Sequence, residues 1–301
     1  MLGETPSASA FPSPSPSSSS SLTVAVAQFT VGPDPDGNLD AIAGYARAAA
    51  DAGARIMLLP EGLIARDPAG GERFTAAHAQ PLDGPFVTGL REVSRETEVA
   101  LMGTVHVPEP LGEPGDGGTE SGPGLTCRRV SNVFLVIDGG EIVARYRKLH
   151  LYDAFNVRES YQVRPGGELP PVVTIDGWRI GVMTCYDVRF PETARSLAVR
   201  GADAIAVSAA WVRGADKERH WALMTAARAL ENTCYVMACS EASVSNIGCS
   251  RVIGPLGETL AQADGARPGM IIADLRRDAL DEARRALPVL ANRRFADPAL
   301  R

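Results

Sequence analysis

No apolar stretch in this chain reaches the ~18 residues expected of a membrane-spanning helix. No excess of basic charge is present either. The formal net charge is −6 and the pI is near 5.4, which argues against nucleic acid or an anionic membrane as the main partner. CxxC pairs are lacking, and the five cysteines (Cys127, Cys185, Cys234, Cys239 and Cys249) make an odd count. Such a set fits reduced thiols in the cytoplasm better than a disulfide framework. The four histidines are scattered and neither HExxH nor paired CxxC ligand spacing appears, so no metal site is expected. No repeat of solenoid period is visible.

The first 21 residues, MLGETPSASAFPSPSPSSSSS, have too little apolar surface to offset chain entropy and read as a disordered extension. They lack the basic and apolar regions of a secretory leader. From Leu22 onward, strands and helices alternate. LTVAVAQF, ARIMLLPE and ALMGTVHV read as strands separated by the helical patterns NLDAIAGYARAAADAGA and FVTGLREVSRETEV. Two hairpins follow, turning at Gly139-Gly140 and at Asp176-Gly177. PETARSLAVRG and KERHWALMTAARALENT then read as helices, and ADAIAVSAAW, CYVMACSEA, SRVIGP, GETLAQA and MIIADL as strands. The expected class is α/β, with residues 22–301 forming a single domain.

Three strand ends carry chemistry. RIMLLPE ends in Glu61, RYRKLHL carries Lys148, and IGVMTC ends in Cys185. Active sites of α/β folds collect where strands give way to loops. A thiol of pKa about 8.5 needs a base or a nearby cation before it can attack. Glu61 could accept its proton. Lys148 could stabilise a thiolate and a developing oxyanion, and the Tyr186 N–H could serve as a second oxyanion donor. Taken singly, each residue reads more simply as solvated charge or core filling.

LLPEG, YRKLHLYD and MTCYDVRFPE resemble the three signature segments of the nitrilase-like carbon–nitrogen hydrolases, and the likeness runs over nearly all of residues 22–295. It implies a four-layer αββα sandwich that pairs with a second copy across its helices, giving a homodimer or higher homo-oligomer. It also implies a Glu61–Lys148–Cys185 triad acting on a small-molecule amide without cofactor. Glu159, in VRES, matches a second family glutamate that supports the lysine and the substrate. The segments KLHLYDAF, SAAWVRG, AARALENTCYV and ALPVLANRRF resemble the deaminated glutathione amidase branch, whose products are 2-oxoglutarate and cysteinylglycine. An ω-amide, an N-carbamoyl compound or a nitrile is the alternative substrate. A non-catalytic binding module or a thiol redox protein is the alternative class.

Asp187, Arg189 and Glu192 are expected to fix the turn after Cys185 through buried ion pairs. Trp211 reads equally as cavity wall or as core. His220, Trp221, Cys234 and Cys239 read as packing residues, and Arg228 with Glu231 as an ion pair on one helix face. The serine-rich start and the glycine-rich stretch near 109–126 have no counterpart in the family pattern.

Overall fold

The computed structural model describes residues 20–67, 69, 74–109, 129–155 and 157–300. The expected disorder of the N-terminal extension and nearly all of the glycine-rich stretch fall outside these residues, as does Cys127.

In chain order the elements are β1 (Ser21–Gln28), α1 (Pro35–Asp51), β2 (Ile56–Leu58), α2 (Phe74–His78), α3 (Pro85–Thr97), β3 (Ala100–Pro108), β4 (Val130–Asp138) and β5 (Glu141–Arg147). A two-stranded ribbon, β6 (Asp153–Ala154) and β7 (Val157–Arg158), comes next. The second half holds β8 (Val172–Ile175), β9 (Trp178–Thr184), α4 (Pro191–Val199), β10 (Ala204–Ala209), α5 (Lys217–Leu230) and β11 (Tyr235–Ser240). It closes with β12 (Arg251–Ile253), β13 (Thr259–Gln262), β14 (Gly269–Arg276), α6 (Arg277–Ala286) and α7 (Val289–Asn292).

The strands form two six-stranded sheets, ordered β14-β1-β2-β3-β4-β5 and β13-β12-β11-β10-β9-β8. Alternation along each strand decides the layering, because successive side chains leave opposite faces. Ala25 and Ala27 of β1 pack beneath Ile42 and Ala46 of α1 and Val87 and Leu90 of α3. Val24 and Val26, one residue out of phase, meet the other sheet through Ile180, Val182, Ala206 and Met237. The far face of the second sheet, with Met183, Ile205 and Val236, is covered by Leu197 of α4 and Trp221 and Ala229 of α5. The layers therefore run α, β, β, α, as the resemblance implies.

Both expected hairpins form, because their turns hold residues at positive φ. Gly139 and Gly140 lie at 57° and 83°, and Asp176 and Gly177 at 47° and 80°. Several strands are shorter than the apolar pattern suggests, with β2 confined to Ile56–Leu58, whereas β3 and β14 run one and two residues longer. α6 escapes the pattern because Leu280 and Ala283 are its only buried residues amid charge.

Candidate active site

Three chain segments converge where the two sheets meet. After β2, the Glu61 N–H donates to the carbonyl of Ala209, the last residue of β10 in the opposite sheet (3.2 Å). The Ala210 N–H returns to Glu61 Oε2 at 2.9 Å. Beyond β5, the Lys148 N–H donates to the Asn132 carbonyl on β4 at 2.9 Å, and Gly166 N–H donates to the Lys148 carbonyl at 2.8 Å. β9 ends at Thr184, and Cys185 opens a single 3₁₀ turn with φ +47°. A β-carbon in the left-handed region is disfavoured, and it persists only where surrounding bonds fix it.

Asp187 supplies those bonds. Its buried carboxylate accepts from the Thr184 N–H (2.9 Å), the Tyr146 hydroxyl (2.9 Å) and the His150 N–H (3.1 Å), with His150 Nδ1 at 2.8 Å. On the far side of the turn, Arg228 Nε donates to the Val188 carbonyl at 2.9 Å while its guanidinium also pairs with Glu231. Arg189 and Glu192 depart from expectation. The Arg189 guanidinium lies over the Trp211 ring at 4.8 Å and makes no ion pair among the described residues. Glu192 is exposed in the first turn of α4. Hydrogen bonds to Asp187 and ring stacking, rather than three buried ion pairs, shape this turn.

Lys148 is 2% exposed, and its Nζ donates to Glu61 Oε1 (3.0 Å) and to both oxygens of Glu159 (2.9 and 2.8 Å). Asn132 Nδ2 donates to Glu61 Oε1 at 2.7 Å, and the Tyr152 N–H holds Glu159 Oε2 at 2.6 Å. Both glutamates thus converge on one ammonium. The Cys185 thiol lies on the same cavity wall as Glu61, near enough for each to move the other's proton affinity.

These contacts set the protons. Burial works to raise the Glu61 pKa, but the charges of Lys148 and Arg66 outweigh it and hold the carboxyl at about 2. Burial works against the Lys148 ammonium, yet Glu159 and Glu61 push its pKa well above the usual lysine value. Burial and the adjacent Glu61 charge push the Cys185 thiol well up, against the opposing pull of Lys148. The resting site is therefore carboxylate, ammonium and neutral thiol. A lasting thiolate would add a third anion beside Glu61 and Glu159.

The three residues border a cavity of about 730 Å³. Trp211 lines it and also belongs to the core beneath, donating from Nε1 to the Lys217 carbonyl at 3.1 Å. Both sequence readings of this residue hold. Trp221, Cys234 and Cys239 are fully buried, as expected of packing residues. Asn132 and the Ala210 N–H escaped the sequence reading. A polar Ser131-Asn132 pair inside the apolar run of β4 was the signal for the first, but a backbone N–H leaves none. Arg66, Tyr152 and Lys217 also line the cavity and were not singled out.

Residues 23–285 match the family model described as carbon-nitrogen hydrolase. The chain is 41% identical over 273 residues to the deaminated glutathione amidase of Escherichia coli O157:H7, spanning 91% of this chain and 97% of that one. It is 32% identical to the mouse protein of the same name, over 89% of this chain and 81% of that one. Among solved structures, a mutant of the amidase from Nesterenkonia sp. AN1 carries the acetamide moiety of fluoroacetamide on its active-site cysteine. It superposes with a TM-score of 0.70 at 26% identity, covering 91% of this chain and 96% of that one. Saccharomyces cerevisiae Nit3, of branch 10 of the nitrilase superfamily, gives a TM-score of 0.77 at 26% identity, covering 94% and 100%. The match of sequence family, layer order and relatives leads to one conclusion: the chain belongs to the carbon–nitrogen hydrolase family and is a hydrolase of that kind.

Proposed function

We propose that Glu61, Lys148 and Cys185 cleave a substrate amide through a thioester intermediate. The observation that carries this reading is the single Glu61 carboxylate facing both the Lys148 ammonium and the Cys185 thiol at a cavity wall. The Cys185 sulfur attacks the amide carbon while its proton passes to Glu61. This transfer moves negative charge from the carboxylate to the substrate oxygen without creating an extra anion. Lys148 Nζ and the Tyr186 N–H stabilise that oxyanion. Glu61 then gives its proton to the departing amine as the C–N bond breaks and the thioester forms. Water, deprotonated by Glu61, attacks the thioester, and the sulfur leaves as a thiol. Glu159 keeps Lys148 charged and in place. Asp187, with the ring of Trp211 bearing on Arg189, fixes the turn.

Likeness to the deaminated glutathione amidases supports deaminated glutathione as the substrate, cleaved to 2-oxoglutarate and cysteinylglycine. That molecule carries a carboxylate at each end, and the cavity wall holds Arg66, Arg158 and Lys217 besides Lys148. Buried polar groups left without partners cost about 1–3 kcal/mol each, so an apolar nitrile should be a poor substrate. The test is a comparison of kcat/KM for deaminated glutathione, 2-oxoglutaramate and benzonitrile, with release of 2-oxoglutarate and cysteinylglycine followed directly. A tenfold preference for either rival, about 1.4 kcal/mol of transition-state binding, would refute the substrate while leaving the chemistry intact.

Residues 22–301 are proposed to act as one domain in the cytoplasm, as a homodimer or larger homo-oligomer. Leu223 and Leu230, 57% and 42% exposed on α5, support a second copy seated across the helices. Sedimentation or light scattering tests this, and a strict monomer at micromolar concentration would refute it.

A further inference from the structure

Lys148 and Lys217 are the only lysines of the chain, every other basic side chain outside histidine being arginine. Both border the same cavity. Lys148 has two carboxylates, whereas Lys217 has none among the described residues. It opens α5, is 7% exposed, and sends Nζ to the Tyr152 hydroxyl at 2.8 Å. The rings of Phe155 and Tyr152 lie 3.9 and 5.3 Å from the ammonium. The acids around it are engaged elsewhere. Asp216 pairs with Arg219, Glu218 faces Arg213, and Glu159 holds Lys148. Glu241 accepts from Ser243, Asn246 and the Val31 N–H. No carboxylate among the described residues reaches Lys217.

An ammonium withdrawn from water without a counter-ion is costly, and rings and a phenol offset only part of that cost. The geometry also limits what could satisfy it. The ammonium lies 3.9 Å from the centre of the Phe155 ring, and one of its three donors is taken by the Tyr152 hydroxyl, leaving the others for a ligand in the cavity. A neutral ligand would leave the charge uncompensated, whereas a carboxylate would cancel it and could also accept from the Tyr152 hydroxyl. Tyr152 in turn is tied through its N–H to Glu159, so this seat and the Lys148 side of the cavity share one segment.

We infer that Lys217 and the Tyr152 hydroxyl form a carboxylate seat that selects anionic amides and takes one end of the substrate, away from the bond that is cut. The inference rests on the amidase reading and deepens it, because it assigns substrate charge to one residue pair. Lys217 has no part in bond making, so its loss should appear in binding rather than in turnover.

Two measurements test it, one of them independent of turnover. Binding of 2-oxoglutarate and of cysteinylglycine, each followed by calorimetry, should weaken about 10- to 100-fold in Lys217→Met for the one whose carboxylate sits on the seat, the range for losing a hydrogen bond to a charged group. Lys217→Arg should retain most of the binding, and Lys217→Gln stands in if the methionine variant fails to fold. In turnover, Lys217→Met should raise KM for deaminated glutathione by a similar factor with kcat within about threefold. Against two neutralised substrates, one amidated at the keto acid and one at the glycine, the variant should match wild type for the one whose missing carboxylate Lys217 would have held. Equal binding of both 2-oxoglutarate and cysteinylglycine by wild type and Lys217→Met, or an equal loss for all three substrates, would overturn the seat. Lys217-dependent binding without any amide turnover would keep the seat and sink the amidase reading alone.

Discussion

Replacing Lys148 by methionine removes one charge and strands two. The ammonium sits 3.0 Å from Glu61 and 2.8 Å from Glu159. At an effective dielectric of ~20, each such pair is worth roughly 5 kcal/mol before desolvation is subtracted. The net cost of taking one partner from a buried pair is about 3–5 kcal/mol, a large share of a total stability of about 5–15 kcal/mol. The loss should depend on pH. Without Lys148, the larger of the two charges opposing burial at Glu61 is gone and Arg66 alone remains, so burial, the largest influence, carries the folded-state pKa above the unfolded value of 4.5. A carboxyl whose folded pKa is raised stabilises the fold below the unfolded value, and that contribution disappears as pH climbs through the folded one. The variant should therefore fall further behind wild type at pH 8 than at pH 5 in urea unfolding. Lys148→Met/Glu159→Gln should recover part of the stability, because one stranded charge has gone. Neither variant should regain turnover, since losing an oxyanion donor costs about 100- to 1,000-fold in rate. A stability gap equal at both pH values, or turnover restored in the double variant, would refute the account of Lys148 as both counter-ion and oxyanion donor.

Cys185→Ala should stay folded and be inactive, and acid quenching of wild type during turnover should show the acyl mass on Cys185 alone; an adduct on Cys234, whose buried thiol is pushed up to about 12, would contradict the assignment. Gly166→Ala would set a β-carbon 2.2 Å from the Arg147 carbonyl oxygen, next to Lys148. The strand end must then shift, and a displacement near 1 Å costs about 100-fold in activity, so an unimpaired variant would argue against tight placement of the lysine. His106 is held at about 4, chiefly by burial with help from Arg66 and Lys148, against an ordinary value of 6.5. The unfolded chain takes that proton first, so stability should fall as pH drops from 6.5 to 4 and then level off. The loss is at most about 3 kcal/mol, trimmed by solvent at the cavity wall. His106→Asn should flatten this part of the urea-unfolding profile, and an unchanged slope would refute the assignment.

The layers were legible in the sequence because strand and helix periods are local properties. The out-of-phase apolar residues of LTVAVAQF already specify two buried faces, and the two hairpins follow from residues that tolerate positive φ. The three strand-end residues were legible for a similar reason: each interrupts an apolar run with a group that needs a partner. Contacts between distant segments were decided by the tertiary structure alone. Glu61 meets the Ala210 N–H only because one strand from each sheet ends at the same place, and an N–H carries no side-chain signature. Glu192 looked like part of the turn in one dimension, yet the first turn of α4 points it to solvent. Lys217 reads in sequence as one charge on an exposed helix start. Its burial against Tyr152 and Phe155 comes from the ribbon of β6 and β7, some 60 residues earlier, folding over the start of α5. Local pattern fixes which face of an element is apolar, whereas the partner of a buried charge depends on how those faces pack together.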